Sequence, residues 1–176
     1  MLKRKAYDKL LEWKHASSGA TLVKEFGENE YKSCLIVDFF QAPDEVRGYF
    51  SDYRADLDTL FLYLSTFYGV ELHERNSLIV FDEVQMCPSA RGLIKYLVAD
   101  GRYDYIETGS LLSIKQNVSG IVIPSEEEAF ELGPLDFEEF LWAMGERQLA
   151  DLIKSQFDKL KPLPDVLHRK ALGLLR

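Results

Sequence analysis

The sequence predicts an α/β domain built on a mostly parallel sheet flanked by helices. Three observations carry this reading. Apolar runs of strand length alternate with segments of helical periodicity, in the order strand, helix, strand, helix, strand, helix. The central run, Leu78-Ile79-Val80-Phe81, is apolar at every position, as in a strand covered on both faces. It stops at two adjacent carboxylates, Asp82 and Glu83, and parallel sheets place their ligand sites at such carboxyl ends.

Residues 3–14 predict an amphipathic helix with Ala6, Tyr7, Leu10 and Leu11 on one face. A small polar break at His15–Gly19 follows, then a short helix over 21–31 with Leu22, Val23 and Phe26 inward. Cys34–Phe40 predicts a strand, and 41–55, with Pro43, a polar and turn-rich connection. Leu57, Leu60, Phe61, Leu64, Phe67 and Tyr68 follow helical spacing after Asp56, and Gly69 ends that helix. The strand at 77–81 comes next. Pro88 then opens a helix carrying Ala90, Leu93, Ile94, Leu97 and Val98, which stops at Asp100-Gly101.

Asp104–Glu107 predicts a third strand, ending in Thr108-Gly109-Ser110. Shorter strands are expected at 121–123 and 129–132, on either side of a solvated acidic run, Glu126–Glu128. Asp136 and Glu139 have capping-box spacing, with Leu135 and Phe140 as a staple, ahead of Phe137, Leu141 and Met144. A helix over 147–161 runs through Leu149, Leu152, Ile153, Phe157 and Leu160. Pro162 and Pro164 break it, and the next helix meets no stop signal before Arg176. The expected organisation is one domain over 1–161, then a linker and the start of a C-terminal region over 162–176.

Composition narrows the function classes. Hydrophobic residues at 47% and charged residues at 28% indicate a folded globular chain. A net charge of -8 gives no overall basic field, so nucleic acid is not indicated. The Lys3-Arg4-Lys5 cluster is expected to solvate a helix start. Cys34 and Cys87 are too few for a disulfide scaffold and are expected as free thiols. No signal peptide or membrane span is expected, and a cytoplasmic location is the default. His15, His73 and His168 lack metal-ligand spacing, which leaves a nuclease or other metal hydrolase with little support.

Two adjacent acids are costly to bury unless a counter-charge sits beside them. In nucleotide hydrolysis the first acid holds Mg²⁺, usually through water, and the second polarises the attacking water. A hydroxyl on a neighbouring strand helps place that water. The spacing from Glu83 to Thr108 leaves room for one crossover helix, so the two strands can be neighbours. An Asp-Glu pair after a strand also occurs as a plain turn or helix cap, and Thr-Gly-Ser as ordinary loop chemistry.

Three stretches, YKSCLIVDF (31–39), SLIVFDEVQMCPSARGLIKYLVADGRYDYIETGSLLSIK (77–115) and PSEEEAFELGPLDFEEFLWAMG (124–145), together resemble the prokaryotic AAA-type ATPases of the P-loop class. Those proteins carry an ATPase domain followed by a separate C-terminal domain. The resemblance covers nearly the whole chain and implies ATP and Mg²⁺ as cofactors. It implies that Leu78–Glu83 is the Walker B element, with Asp82 on the metal side and Glu83 as the water-activating base. Thr108 and Ser110 match the region of the polar sensor, and Leu135–Trp142 the end of the domain.

The chain departs from the family at one place. No G-x-x-x-x-G-K-[ST] phosphate loop occurs anywhere in it. Where that loop belongs stands His15-Ala16-Ser17-Ser18-Gly19-Ala20-Thr21, in which Gly19 and Thr21 are its remnant and the Lys position is unfilled. An apolar first strand is missing too, so about fifteen residues of strand plus loop have no counterpart. Two readings follow: an ATP-hydrolysing domain impaired in this chain, or a degenerate, non-catalytic interaction module on the same scaffold. The partners expected are a nucleotide, and a protein or the C-terminal domain.

Overall fold

A computed structural model describes residues 4–16, 24–109 and 134–175. Its elements are α1 (Lys5–Ala16), α2 (Lys24–Glu30), β1 (Ser33–Asp38), α3 (Asp44–Asp52), α4 (Leu57–Tyr68), β2 (Ser77–Asp82), a 3-10 turn (Val84–Met86), α5 (Pro88–Asp100), β3 (Asp104–Glu107), α6 (Phe137–Ala143), α7 (Arg147–Asp158) and α8 (Asp165–Leu174). The chain divides into two compact units, residues 10–130 and residues 1–9 with 131–176. The strands expected at 121–123 and 129–132 lie outside the described residues, as do Gly19, Thr21 and Ser110.

In the larger unit the described strands form one parallel sheet in the order β1-β2-β3. Ser33 pairs with Ser77 and Asp38 with Asp82, while Leu78 pairs with Asp104 and Phe81 with Glu107. Central β2 is buried from Ser77 to Phe81, as its unbroken apolar run requires. Alternation sends Leu35, Val37, Ile79, Phe81 and Tyr105 to one face, where they form a core with side chains of α3, α4 and α5. Phe81 is the hinge of its aromatic part: it meets Phe50 edge-on at 5.4 Å and stacks on Tyr105 at 6.2 Å.

The opposite face carries Leu78, Val80 and Ile106, all buried. There α2 comes so close that Gly27 has no room for a side chain. A Cβ at Gly27 would collide with Cys34 Sγ and lie 3.1 Å from Leu78 Cδ2. The end of α2 is fastened to β3 by Tyr31, whose hydroxyl donates to Asp104 Oδ2 at 2.7 Å. Burial, with Asp104 beside it, holds the Tyr31 phenol well above its usual range.

Several boundaries differ from those expected. β1 stops at Asp38 rather than Phe40, because the Asp38 carboxylate accepts from the N–H groups of Phe40 and Gln41 and turns the chain. The turn-rich stretch after it contains a helix, α3. Its helical signal is sparse, since only Val46 and Phe50 are buried, one turn apart, behind an acidic first turn. In α4, Asp56 caps the start by accepting from Thr59 N–H, and Gly69 ends it at φ 66°. Phe67 and Val98, expected inward, are half exposed.

The smaller unit is helical. Asp136 and Glu139 form the expected capping box at the start of α6. Arg4 and Lys5 do more than solvate a helix start. Lys5 donates from Nζ to Asp136 at 2.7 Å and from its backbone N–H to Glu139 at 2.7 Å, and Arg4 pairs with Glu139 at 3.3 Å. Leu141, Leu149, Ala150 and Ala171 make the local core. Met144, Phe157 and Leu160, expected on apolar faces, are exposed. Leu160 lies beyond the end of α7, at φ 52°.

The Asp136 carboxyl is held below its ordinary value, first by the Glu139 N–H and then by Lys5. Burial pushes the Glu139 carboxyl up, but the N–H groups of Lys5 and Asp136 and the Arg4 guanidinium outweigh it and leave it low. Groups with depressed folded values stabilise fully above the unfolded carboxylate range, about pH 4, and lose that contribution as pH falls through the folded values. Asp136→Ala is expected to cost about 1 kcal/mol at neutral pH and to flatten the acid-induced loss of stability in thermal melts. Gly27→Ala is expected to cost about 1–3 kcal/mol in urea denaturation, because the neighbouring strand side chains must shift.

Candidate functional site

The carboxyl ends of all three strands face one edge of the sheet, and its chemistry gathers there. β1 ends in Asp38, β2 in Asp82, and β3 is followed directly by Thr108. Asp38 is register partner to Asp82. Thr108 is drawn in beside Asp82 by two backbone bonds. Its N–H donates to Phe81 O at 2.9 Å, and its C=O accepts from Val84 N–H at 3.0 Å. The Thr108 hydroxyl then donates to Asp82 Oδ1. The same oxygen of Thr108 receives a long bond from Glu83 N–H, at 3.4 Å.

Glu83 occupies the turn after β2 with φ 52° and ψ 45°, in the left-handed region. For a residue with a Cβ this conformation costs about 1–3 kcal/mol and is concentrated at functional sites. It reverses the chain sharply into the 3-10 turn, so Glu83 projects from the strand end instead of continuing it. Gln85 donates from Nε2 to Glu83 Oε2. Of the residues expected at the site, Asp82, Glu83 and Thr108 are therefore brought together. Ser110, Gly19 and Thr21 lie outside the described residues.

Asp38 and Gln85 were not expected there. The same apolar-run-then-acid pattern marks Asp38 in the sequence, but its oxygens serve its own turn, accepting from Phe40, Gln41 N–H and Gln41 Nε2. Gln85 has no signal beyond its nearness to Glu83. Asp82 is different: Oδ1 takes the Thr108 hydroxyl, and Oδ2 has no donor among the described residues. A hard cation prefers such a free carboxylate oxygen. No cluster of three or more His, Cys, Asp or Glu side chains suited to a metal occurs among the described residues. Mg²⁺ does not need one, since it is usually bound by one or two carboxylates together with waters and phosphate oxygens. The residues present thus fit the metal side of a nucleotide site, and the sequence lacks the loop that would supply the phosphate side.

Two arginines near the acids in sequence take separate places. Arg102 precedes β3, at the opposite edge of the sheet, and is tied to Asp58 at 2.6 Å and Asp100 at 2.8 Å. Arg91, in the first turns of α5, is buried and pairs at 2.6 Å with Glu107, the last residue of β3. This pair bolts the helix after the acidic turn to the strand that delivers Thr108.

A three-stranded parallel sheet with flanking helices and acids at its carboxyl edge defines an α/β protein with a P-loop NTPase-like core. The family model described as AAA domain matches residues 20–141, well over half of the chain, and the chain belongs to that family. Membership makes its general function ATPase-like nucleotide binding. No curated protein matches the chain, and no solved structure does. Among the described residues, no helix is long and apolar enough to cross a membrane.

Removing Arg91 takes away the buried guanidinium that pairs with Glu107 at 2.6 Å. Arg91→Leu is expected to cost about 3–5 kcal/mol in denaturant unfolding, and Arg91→Leu with Glu107→Leu to recover most of that loss.

Proposed function

We propose that the chain carries the Mg²⁺-dependent ATP-hydrolysing site of an AAA-type domain, with nucleotide binding weakened by the absent phosphate loop. The observation that supports this best is the Asp82–Thr108–Glu83 constellation at the carboxyl edge of the sheet. Asp82 is the metal-side acid, the residue that would hold Mg²⁺. The Thr108 hydroxyl, by donating to Oδ1, restrains that carboxylate at the strand end. Glu83 is the base: with Oε2 engaged by Gln85, its other oxygen takes the proton of the attacking water. Mg²⁺, when bound, supplies Lewis-acid polarisation of the phosphate oxygens. Ser110 is assigned to the same sensor loop as Thr108, and Gly19 and Thr21 to what is left of the phosphate-binding turn. The ATPase-like domain is taken as 1–161, with 162–176 as a linker and the start of a C-terminal region, and the setting as cytoplasmic.

A second reading has its own support. The sequence contains no Gly-Lys-Ser or Gly-Lys-Thr, the motif whose lysine neutralises a triphosphate and whose N–H groups seat it. That favours a non-catalytic, ATPase-like module whose partner is a protein.

Turnover separates the two. At saturating Mg-ATP, hydrolysis by the purified chain is expected to be slow and to fall at least about a hundredfold in Glu83→Gln. Equal turnover in both proteins would overturn the catalytic assignment, and a chain with none would favour the second reading.

A further inference from the structure

Gln85 is the least explained polar residue at the site. Its Nε2 donates to Glu83 Oε2. A carboxylate only accepts, so this contact decides which end of the amide faces Glu83 and sends Oε1 the other way. There Oε1 is buried, with no hydrogen-bond partner among the described residues. A structural glutamine in a polar network has both ends satisfied. Among the described residues one end is satisfied and the other is not, so Glu83 is the contact that orients the amide.

The backbone leads to the same carboxylate. Glu83 sits at φ 52°, a conformation costly for a side-chain-bearing residue, and the 3-10 turn this starts is what places Gln85 within reach. An unpaired buried oxygen and a strained dihedral, two residues apart, both accompany one fixed position of the Glu83 side chain. A free glutamate on a turn would sample several rotamers, and a base acts only from the one within reach of its proton.

We propose that Gln85 is a positioning residue that restrains the Glu83 carboxylate for proton abstraction. The role rests on the hydrolysis reading above, whereas the restraint itself does not. The restraint is tested without nucleotide, from the side-chain amide of Gln85 in nuclear magnetic resonance spectra. The expected result is a downfield, exchange-protected Nε2 proton that disappears in Glu83→Ala and persists in Lys95→Ala, a distant control. An amide at the free-glutamine position, unmoved by Glu83→Ala, would overturn the proposal.

The role is tested by kinetics with Gln85→Met, which keeps length and removes both polar atoms. Its kcat is expected to fall about ten- to a hundredfold with KM unchanged, and to fall no further when added to Glu83→Gln. A change in KM alone, or additive losses, would overturn the role. A wild-type chain without turnover would count against the hydrolysis reading, and the amide signal would then decide whether Gln85 restrains Glu83.

Discussion

The polar end of β2 is the constraint around which the larger unit is arranged. A strand buried on both faces must end somewhere, and here it ends in acids that cannot be carried into the core. Asp82 is made tolerable by the Thr108 hydroxyl, and Thr108 can reach it only because β3 lies parallel to β2 in the observed register. The Arg91–Glu107 pair and the ring stack of Phe81 with Tyr105 brace the same strand. Packing, strand pairing and site geometry are thus one coupled arrangement.

Much of this arrangement was legible in the sequence, for physical reasons. The apolar run before Asp82, the Asp136–Glu139 capping spacing and the glycine stops at 69 and 101 are local signals, and local signals survive in one dimension. Helix α3 is not legible, because two buried side chains among polar neighbours give too little periodicity to outweigh Pro43 and a turn-like composition. The outward placement of Phe67, Phe157 and Leu160 is not legible either, because spacing predicts a face, whereas burial depends on what covers it.

At the site, the acids and Thr108 could be named from chain order, since parallel topology brings successive strand ends to one edge. The unusual dihedral at Glu83, the amide of Gln85 and the Arg91–Glu107 pair could not. Each depends on three-dimensional closure, and none has a composition signature. The basic start of α1 illustrates the same limit: Lys5 and Arg4 meet the carboxylates of α6 across more than a hundred residues of sequence.

On the proposed reading the site is one half of a nucleotide-binding centre: Asp82 and Glu83 would serve the metal side, and the sequence has no lysine-bearing phosphate-loop motif. Isothermal titration of the chain with Mg-ATP measures that imbalance directly. The account predicts binding in the millimolar range that is lost in Asp82→Asn. Micromolar binding that survives Asp82→Asn would contradict it.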